Sequence, residues 1–196
     1  MAVGSVPSIV LETVGEWTGG DRPAPALSVS ASDVAVIGIA AGNDPNDDRP
    51  RGAAFGVLVH AVLAQAAFDA TPHVLGGIAA SQALLLGMTG DEAAAAAWVA
   101  ERVLAHDLLA RARAAAAHGG CRRETPVTCT LPDGTLVEGV VDLAFEEHGV
   151  WTVVDYKTDR EMAVAGEDRY RRQVALYATA IAQATGAPAS GVLVRI

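Results

Sequence analysis

The sequence has little cysteine and no long apolar run, and each of these absences excludes a class of protein. Its 196 residues include two cysteines, Cys121 and Cys129, too few for a disulfide framework, a four-cysteine zinc site or an iron–sulfur cluster. No apolar run reaches the roughly 18 residues needed to span a bilayer, and the N-terminus lacks a basic segment followed by an apolar core. We therefore expect a cytoplasmic protein without a membrane partner or an iron–sulfur cluster.

Basic residues are also scarce. The chain carries 14 lysines and arginines against 23 aspartates and glutamates, a formal net charge of -9. This charge argues against a free-standing DNA binder, because such affinity comes largely from cations that neutralise phosphate. Two local clusters of arginines exist: Arg111, Arg113, Arg122 and Arg123 form one, and Arg169, Arg171 and Arg172 form the other. For each cluster taken alone, a solvated helix face is the more frequent explanation. The phosphate loop G-x-x-x-x-G-K-[S/T] is absent, so we expect no nucleotide-driven motor in this chain.

One segment combines a buried strand with charged residues at its end. Residues 151–157, WTVVDYK, form a β-branched and aromatic run that follows Gly149, which predicts a strand. Alternation along a strand sends Asp155 and Lys157 to one side and Tyr156 to the other. A carboxylate and an ammonium group therefore project together from the end of this strand.

A second predicted strand, residues 136–145, carries Asp142 on its polar face. If the two strands pair as a hairpin around residues 147–149, Asp142 meets Asp155 and Lys157. Two close carboxylates repel each other unless a cation lies between them, and Mg²⁺ accepts carboxylate oxygens. Together with a lysine, such a site suits phosphodiester hydrolysis. From the spacing alone, a surface hairpin with an Asp–Lys ion pair is the more frequent alternative.

Most of the segment before these strands predicts helices. Residues 53–68 have apolar side chains at helical spacing and include His60; a lone histidine there is more often a packing residue than a metal ligand. Residues 71–88 predict a second helix. Thr89 begins a capping box, and the alanine-rich residues 93–117 continue it as one helix of about 27 residues, about 40 Å long.

The remaining segments predict strands and loops. Residues 123–130 alternate like a strand, in which Glu124 is either an extra carboxylate of the site or a solvent-facing edge residue. Residues 190–196 predict a last strand, and residues 1–50 are rich in Gly, Pro, Ser and Asp, which indicates linker or loop. The order of elements predicts an α/β fold with a mixed central sheet.

A helix is predicted over residues 167–185, because Gly and Pro follow it. Tyr170, Gln173 and Tyr177 fall at i, i+3 and i+7 and lie on one face. This stripe is either a packing face or a surface that orients a carboxylate and meets nucleic acid.

Five blocks of the sequence resemble a known nuclease family. RGAAFGVLVH, RRETPV, GVVDLAF, WTVVDYKTD and YRRQVALYATAI occur in the order of the RecB-like nuclease domain of the PD-(D/E)XK superfamily, found in helicase-nucleases of the RecB and AddA kind. The resemblance covers residues 51–196 as the nuclease domain and leaves residues 1–50 as a loop-rich N-terminal segment. It implies a restriction-endonuclease-like α/β core, with helices flanking the mixed sheet and an N-terminal helical part.

The resemblance also implies roles for individual residues. The metal ligands that it implies are the side chains of His60, Asp142 and Asp155 and the main-chain carbonyl of Tyr156. The catalytic residues are Asp142, Asp155, Lys157 and Gln173, where Gln173 and Tyr177 match the QxxxY element of the family. The residues implied in DNA binding are Tyr170, Tyr177, Arg169 and Arg172.

The function implied by the resemblance is that of a Mg²⁺-dependent DNA exonuclease, with Mn²⁺ able to substitute, in double-strand break processing and recombinational repair. A helicase partner that delivers a single strand would explain why a nuclease can be so acidic. One alternative is a catalytically silent DNA-guiding or scaffolding module, against which the intact Asp142, Asp155 and Lys157 speak. Another is a small free-standing exonuclease, against which the negative charge and the absent motor speak.

Overall fold

The structure, a computed structural model, describes residues 10–19, 27–39, 52–158, 162–163 and 165–196. Within these ranges the strands are β1 (Leu11–Thr13), β2 (Ala35–Gly38), β3 (Cys121–Thr130), β4 (Leu136–Glu147), β5 (Val150–Lys157) and β6 (Ala189–Arg195). The helices are α1 (Val14–Gly19), α2 (Ala53–Gln65), α3 (Pro72–Leu86), α4 (Gly90–Leu104), α5 (Asp107–Ala116) and α6 (Glu167–Thr185), with a 3-10 turn at Ala31–Asp33. None of the helices in this part of the chain is long and apolar enough to cross a membrane.

The six strands form one mixed sheet in the order β1-β4-β5-β6-β2, and β3 also pairs with β4. β4 is antiparallel to β3 and β5, whereas β1–β4, β5–β6 and β6–β2 are parallel pairs. Because β3 occupies one edge of β4 along its length, β1 and β5 share the other edge. The predicted α/β fold, a mixed sheet flanked by helices, is confirmed.

A two-residue turn joins β4 to β5. Glu147 pairs with Val150, and His148 and Gly149 between them have φ angles of 53° and 82°. Positive φ at both central positions is typical of a type I′ turn, whose twist matches that of the flanking strands. The predicted hairpin around residues 147–149 is confirmed.

Helices cover both faces of the sheet and bury two apolar clusters. One cluster lies under α2 to α5 and includes Leu58, Val99 and Leu109; the other lies under α6 and includes Leu176 and Trp17 of α1. Val154 belongs to the first cluster and its neighbour Val153 to the second. Since successive residues of a strand point to opposite faces, the α2–α5 layer and α6 lie on opposite sides of β5.

Along β4, the face of the sheet to which every second side chain points changes at Asp142. Val141 packs in the α6 cluster, whereas Leu143, two residues further on, packs in the α2–α5 cluster. Opposite this point in β3, Glu124 has a φ of 45°, in the left-handed region, between two regular pairs of the ladder. Asp142 therefore occupies the position at which this strand turns over, and simple alternation does not describe its surroundings.

The single helix predicted over residues 93–117 is wrong, because the structure has two helices, α4 and α5. The backbone of His106 is extended, with ψ of 146°, and its Nδ1 accepts a hydrogen bond from the Leu108 N–H at 3.1 Å. This side chain caps α5. The alanine content is high on both sides of the break, so composition does not reveal it. The capping box predicted at Thr89 is confirmed.

Part of residues 1–50, for which composition indicates loop, joins the sheet and the core. β1 lies alongside the start of β4 and β2 alongside β6, while Trp17 and Val34 are buried. Strands of three and four residues carry too little periodicity for detection. The predictions for residues 1–9, 20–26 and 40–50 lie outside the described residues.

Candidate active site

The site begins where β4 and β5 separate. Their regular pairing ends at Leu143 and Val154, and beyond this pair Asp142 Oδ2 accepts the Tyr156 N–H at 2.8 Å. The hydrogen bond holds Asp142 at the end of β5, where its side chain is 12% exposed. Asp155, one residue earlier in β5, is only 1% exposed. The divergence of the two strands thus leaves Asp142 at the end of β5, one residue beyond the pair at which the ladder ends, while Asp155 lies buried within β5.

Lys157 is the only lysine in the sequence. Its Nζ lies 2.7 Å from Asp155 Oδ2 and donates to the main-chain carbonyl of Tyr156 at 3.1 Å. The ammonium group also lies 5.3 Å from the centre of the Tyr170 ring, within the range of a cation–π attraction. An ammonium is a compact point charge, unlike a planar guanidinium, so the site receives its one compact cation from this residue.

His60 reaches the site from α2, on the opposite face from α6. Its Nε2 lies 2.8 Å from the Tyr156 carbonyl oxygen, which can only accept, so this nitrogen carries the proton. Its Nδ1 lies 3.6 Å from Asp142 Oδ1. Gly56, one turn earlier in α2, is buried, which lets the helix approach the sheet closely. The structure therefore brings together His60, Asp142 and Tyr156, three of the residues that the resemblance implies as metal ligands.

Gln173 approaches Asp155 from α6. Its Nε2 donates to Asp155 Oδ1 at 3.1 Å and to the Tyr177 hydroxyl at 3.3 Å. Gln173 and Tyr177 are one helical turn apart, and the hydroxyl holds the amide in its position beside Asp155. Together with Tyr170 above Lys157, α6 contributes one polar-aromatic stripe to the site.

Burial and mutual repulsion set the charge of the two aspartates. Burial, reinforced by the charge of Asp142, raises the pKa of Asp155 to about 6 although Lys157 acts in the opposite direction. Burial alone would raise the pKa of Asp142, but the hydrogen bond and charge of His60 together with Lys157 hold it below its usual value. Of the two carboxyl groups, Asp155 is therefore the one that takes up a proton more readily.

The pKa values of the neighbouring groups follow the same causes. Burial lowers the pKa of His60, but its hydrogen bond to Asp142 and the charge of that carboxylate outweigh the burial, so the pKa is raised. Burial and then the charge of Asp155 raise the pKa of Tyr177 to about 12. The hydroxyl of Tyr177 therefore stays protonated at neutral pH.

The arginines of α6 are placed differently from the site residues. Arg169 turns towards α1, where it donates to the Gly15 carbonyl at 3.1 Å and lies 3.4 Å from the Thr18 hydroxyl. Arg172 Nε is buried, and no hydrogen-bond partner for it occurs within the described ranges. Arg169 thus attaches α1 to α6 and does not join the cluster around Asp155.

Glu124 lies beside the site, a position that the sequence left open. It borders a small open depression that is also lined by His60, Arg123, Asp142 and Tyr156. Burial and the charge of Asp142 raise the pKa of Glu124. Its positive φ turns this strand residue out of the regular ladder, and a lone glutamate in an alternating run carries no signal of such a turn.

Two supporting residues went unnoticed in the sequence. Arg123 donates to the carbonyls of Leu63 and Ala66 at the end of α2, the helix that carries His60. Gly139 lies beneath Tyr177, where a side chain would collide with the ring. An arginine in a basic cluster and a glycine in a strand have many ordinary explanations, so neither predicted this role.

The donor types of the site fit a hard divalent cation. Two carboxylates, an imidazole and a main-chain carbonyl are linked by a chain of contacts, and burial, followed by the charge of Asp142, raises the pKa of Asp155. Across the part of the chain that the structure describes, however, no three His, Cys, Asp or Glu side chains are spaced to hold a metal ion. Binding would require His60 to release Tyr156 and Asp155 to turn from Lys157.

The comparisons with known proteins agree with this arrangement. Residues 36–196 match the model of the PD-(D/E)XK nuclease superfamily, a span that includes every residue of the site described above. Among curated proteins, none matches the chain. The matched span covers most of the sequence and contains the two aspartates, the lysine and strands β3 to β6, and the chain therefore belongs to the PD-(D/E)XK nuclease superfamily.

Proposed function

We propose that this chain is a Mg²⁺-dependent DNA exonuclease domain that hydrolyses phosphodiester bonds at the end of β5. Members of the superfamily are nucleases and generally use divalent metals such as Mg²⁺. The observation that carries the proposal is the buried Asp155–Lys157 pair, with its 2.7 Å separation, beside Asp142. An ion pair excluded from water contributes little to stability compared with apolar packing, so its presence favours a chemical role.

The metal would be held by Asp142, Asp155, His60 and the Tyr156 carbonyl. When bound, a divalent cation polarises a phosphoryl oxygen and lowers the pKa of a water molecule. Neutral imidazole suits first-row transition metals, so Mn²⁺ is expected to substitute for Mg²⁺. The cysteine content supports no iron–sulfur cluster within these 196 residues.

The protein side chains would position the reacting groups. Lys157, once released from Asp155, can stabilise the negative charge that grows on the phosphoryl group or orient the attacking water. Gln173 fixes one oxygen of Asp155 by its hydrogen bond, which leaves the other oxygen, Oδ2, facing Lys157. In this proposal α6 contributes the residue that orients Asp155, and β5 contributes the residue that acts on the substrate.

The residues proposed for DNA contact differ in exposure. Tyr170 is partly exposed beside Lys157, which supports a contact with the strand. Tyr177 is only 4% exposed, which favours a contact at the edge of its ring or a role in supporting Gln173. Arg172 is partly exposed, and Arg169 would have to leave its contacts with α1 to reach a phosphate.

We further propose that the chain acts in the cytoplasm beside a helicase domain or subunit, in double-strand break processing and recombinational repair. The net charge of -9 supports delivery of a single strand by a motor, because the chain itself offers few cations to DNA. A partner is also supported by α3, whose residues include no Asp, Glu, Lys or Arg. Leu84 and Leu85 of this helix are 81% and 78% exposed, as at protein contact surfaces.

Cleavage of end-labelled DNA tests the proposal. The wild-type chain should degrade single-stranded or duplex DNA with Mg²⁺ and not with EDTA. Asp142→Asn should abolish cleavage, whereas Asp168→Asn, an exposed acid on α6, should cleave like the wild type. A wild type that binds metal and DNA without cutting would favour the silent module instead.

A further inference from the structure

Gly139 of β4 makes room for two side chains at once. A Cβ added to this residue would lie 2.7 Å from Tyr177 Cε1, 2.9 Å from the Tyr177 hydroxyl oxygen and 2.8 Å from Val14 Cγ2. Contacts this short do not occur between real side chains, so any larger residue must displace the tyrosine, the valine or both. The Tyr177 ring therefore lies directly on the backbone of β4, and Val14 of α1 lies close to the same glycine.

The position of Tyr177 determines the position of Gln173. The hydroxyl accepts a hydrogen bond from Gln173 Nε2 at 3.3 Å, and the same nitrogen donates to Asp155 Oδ1 at 3.1 Å. Gln173 is a flexible side chain with several rotatable bonds, so two partners fix it better than one. Any shift of the tyrosine is thus passed to the amide that orients the aspartate.

We propose that Gly139 is a positioning residue of the nuclease site, acting on the Asp155 carboxylate through Tyr177 and Gln173. This inference rests on the proposed function, because it assigns Asp155 a role in cleavage. It explains why a glycine occupies the middle of a strand, where it costs about 0.5–1 kcal/mol relative to alanine. Val14 at the start of α1 occupies the rest of the space that the missing side chain leaves.

The test uses the full chain with Gly139→Ala. The side-chain amide signal of Gln173 in ¹⁵N NMR should shift without added metal, because its hydroxyl partner moves. In cleavage of labelled DNA with Mg²⁺, kcat should fall by about 10- to 100-fold, since small misplacements of reacting groups have effects of this size. KM should change less than about twofold, because substrate binding is not altered.

Gly191→Ala is the matched control. Its Cβ would collide with the same helix, at 2.6 Å from Val174 Cγ1, and would approach Val34 Cγ2 at 3.1 Å. It therefore introduces a similar overpacking without touching Tyr177. This variant should keep the kcat of the wild type, and its Gln173 signal should shift less than in Gly139→Ala, because the collision is with the neighbouring Val174 and the hydroxyl partner of Gln173 stays in place. If both glycine variants behave alike, the proposal is overturned, because the effect is then general strain in the core.

Tyr177→Phe provides an independent test of the proposal, because it removes only the hydroxyl group. It should reproduce the loss of Gly139→Ala in kcat and shift the Gln173 signal, and the double variant should be no worse than either single variant. Losses that multiply, or a Gln173 signal unchanged in Tyr177→Phe, would overturn the proposal even if Gly139→Ala does not fold. If the wild type does not cleave DNA, the proposed nuclease function fails, while the Gln173 signal still decides the link to Gly139.

Discussion

Single residues at the end of β5 determine the charge of the site. Lys157 pairs with Asp155, and His60 together with Lys157 outweighs burial and holds the pKa of Asp142 below its usual value. Burial and the charge of Asp142 raise the pKa of Asp155 to about 6 although Lys157 acts in the opposite direction. Asp142 and Asp155 would be ligands of a divalent cation, and Lys157 would then be available to act on substrate.

Lys157→Ala should reduce the cleavage rate by about 100-fold or more, equivalent to about 3 kcal/mol of transition-state stabilisation. Metal affinity should change little, because the lysine is not a ligand. Lys157→Arg keeps the charge but replaces the compact ammonium with a planar group, and it should recover only part of the rate. Single-turnover cleavage and calorimetric metal titration provide the two measurements. An equal loss of metal binding would assign the lysine a structural role.

His60 should make metal binding depend on pH. Only the neutral imidazole binds a metal, and the pKa of His60 is raised above its usual value of 6.5. Protons therefore compete with the metal from a pH above 6.5 downwards, and Mn²⁺ affinity should fall more steeply with decreasing pH in the wild type than in His60→Ala. Asp155 also takes up protons near pH 6, but in both proteins. Parallel affinity curves would remove His60 from the ligand set.

Helices from both faces of the sheet hold these residues, and the attachment of α2 depends on a side chain of β3. Arg123 donates to the Leu63 and Ala66 carbonyls at the end of α2 and stacks on Phe68, with its guanidinium carbon 3.8 Å from the ring centre. Hydrogen bonds from a charged donor contribute about 1.5–3 kcal/mol. The arginine therefore fixes the helix that carries His60.

Arg123→Ala should lower the free energy of unfolding by about 2 kcal/mol and weaken metal binding through movement of α2. Its neighbour Arg122 is the control, because it is exposed and donates only to nearby carbonyls of Gly119 and Cys121. Arg122→Ala should stay within about 0.5 kcal/mol of the wild type. Urea denaturation of both variants decides the matter, and equal destabilisation would contradict the assigned role of Arg123.

The elements of the sheet were predictable from sequence to the extent that they are periodic and bounded by turns. The β4–β5 hairpin and α6 carry such signals, and they bring Asp142, Asp155 and Gln173 together. The break before α5 depends on a single capping contact of His106, and the change of face at Asp142 accompanies the left-handed backbone of Glu124 in the paired strand. Neither leaves a pattern in composition, and the role of Gly139 becomes visible only when the ring above it is in place.

At the scale of the whole molecule, the arginines serve the fold more than the surface. Most of the arginines that the structure describes contact oxygen atoms of the protein: Arg111 with Glu147, Arg113 with Asp69, Arg123 with α2, Arg169 with α1 and Arg171 with Glu167 and Val34. The formal net charge of the whole chain is -9. Binding of DNA by this chain alone should therefore involve few phosphate contacts.

The salt dependence of DNA binding measures the number of such contacts. For single-stranded DNA, log K should fall against log salt with a slope no steeper than about -1.4, which corresponds to about two neutralised phosphates. Fluorescence anisotropy with a labelled strand between 50 and 200 mM salt, without divalent metal to prevent cleavage, gives this slope. A slope of about -5 or steeper would mean that the chain binds DNA electrostatically on its own and needs no motor to deliver the strand.

Calorimetric titration of Mn²⁺ into the 196-residue chain tests the central claim most directly, namely that Asp142 of β4 and the end of β5 form one metal-dependent nuclease centre. The account predicts a binding site in the wild type that is weakened at least about tenfold, or 1.4 kcal/mol, in both Asp142→Asn and Asp155→Asn, with the fold of each variant verified by circular dichroism. Asp168→Asn should bind like the wild type. Equal Mn²⁺ affinity in the wild type and in both site variants would contradict the account.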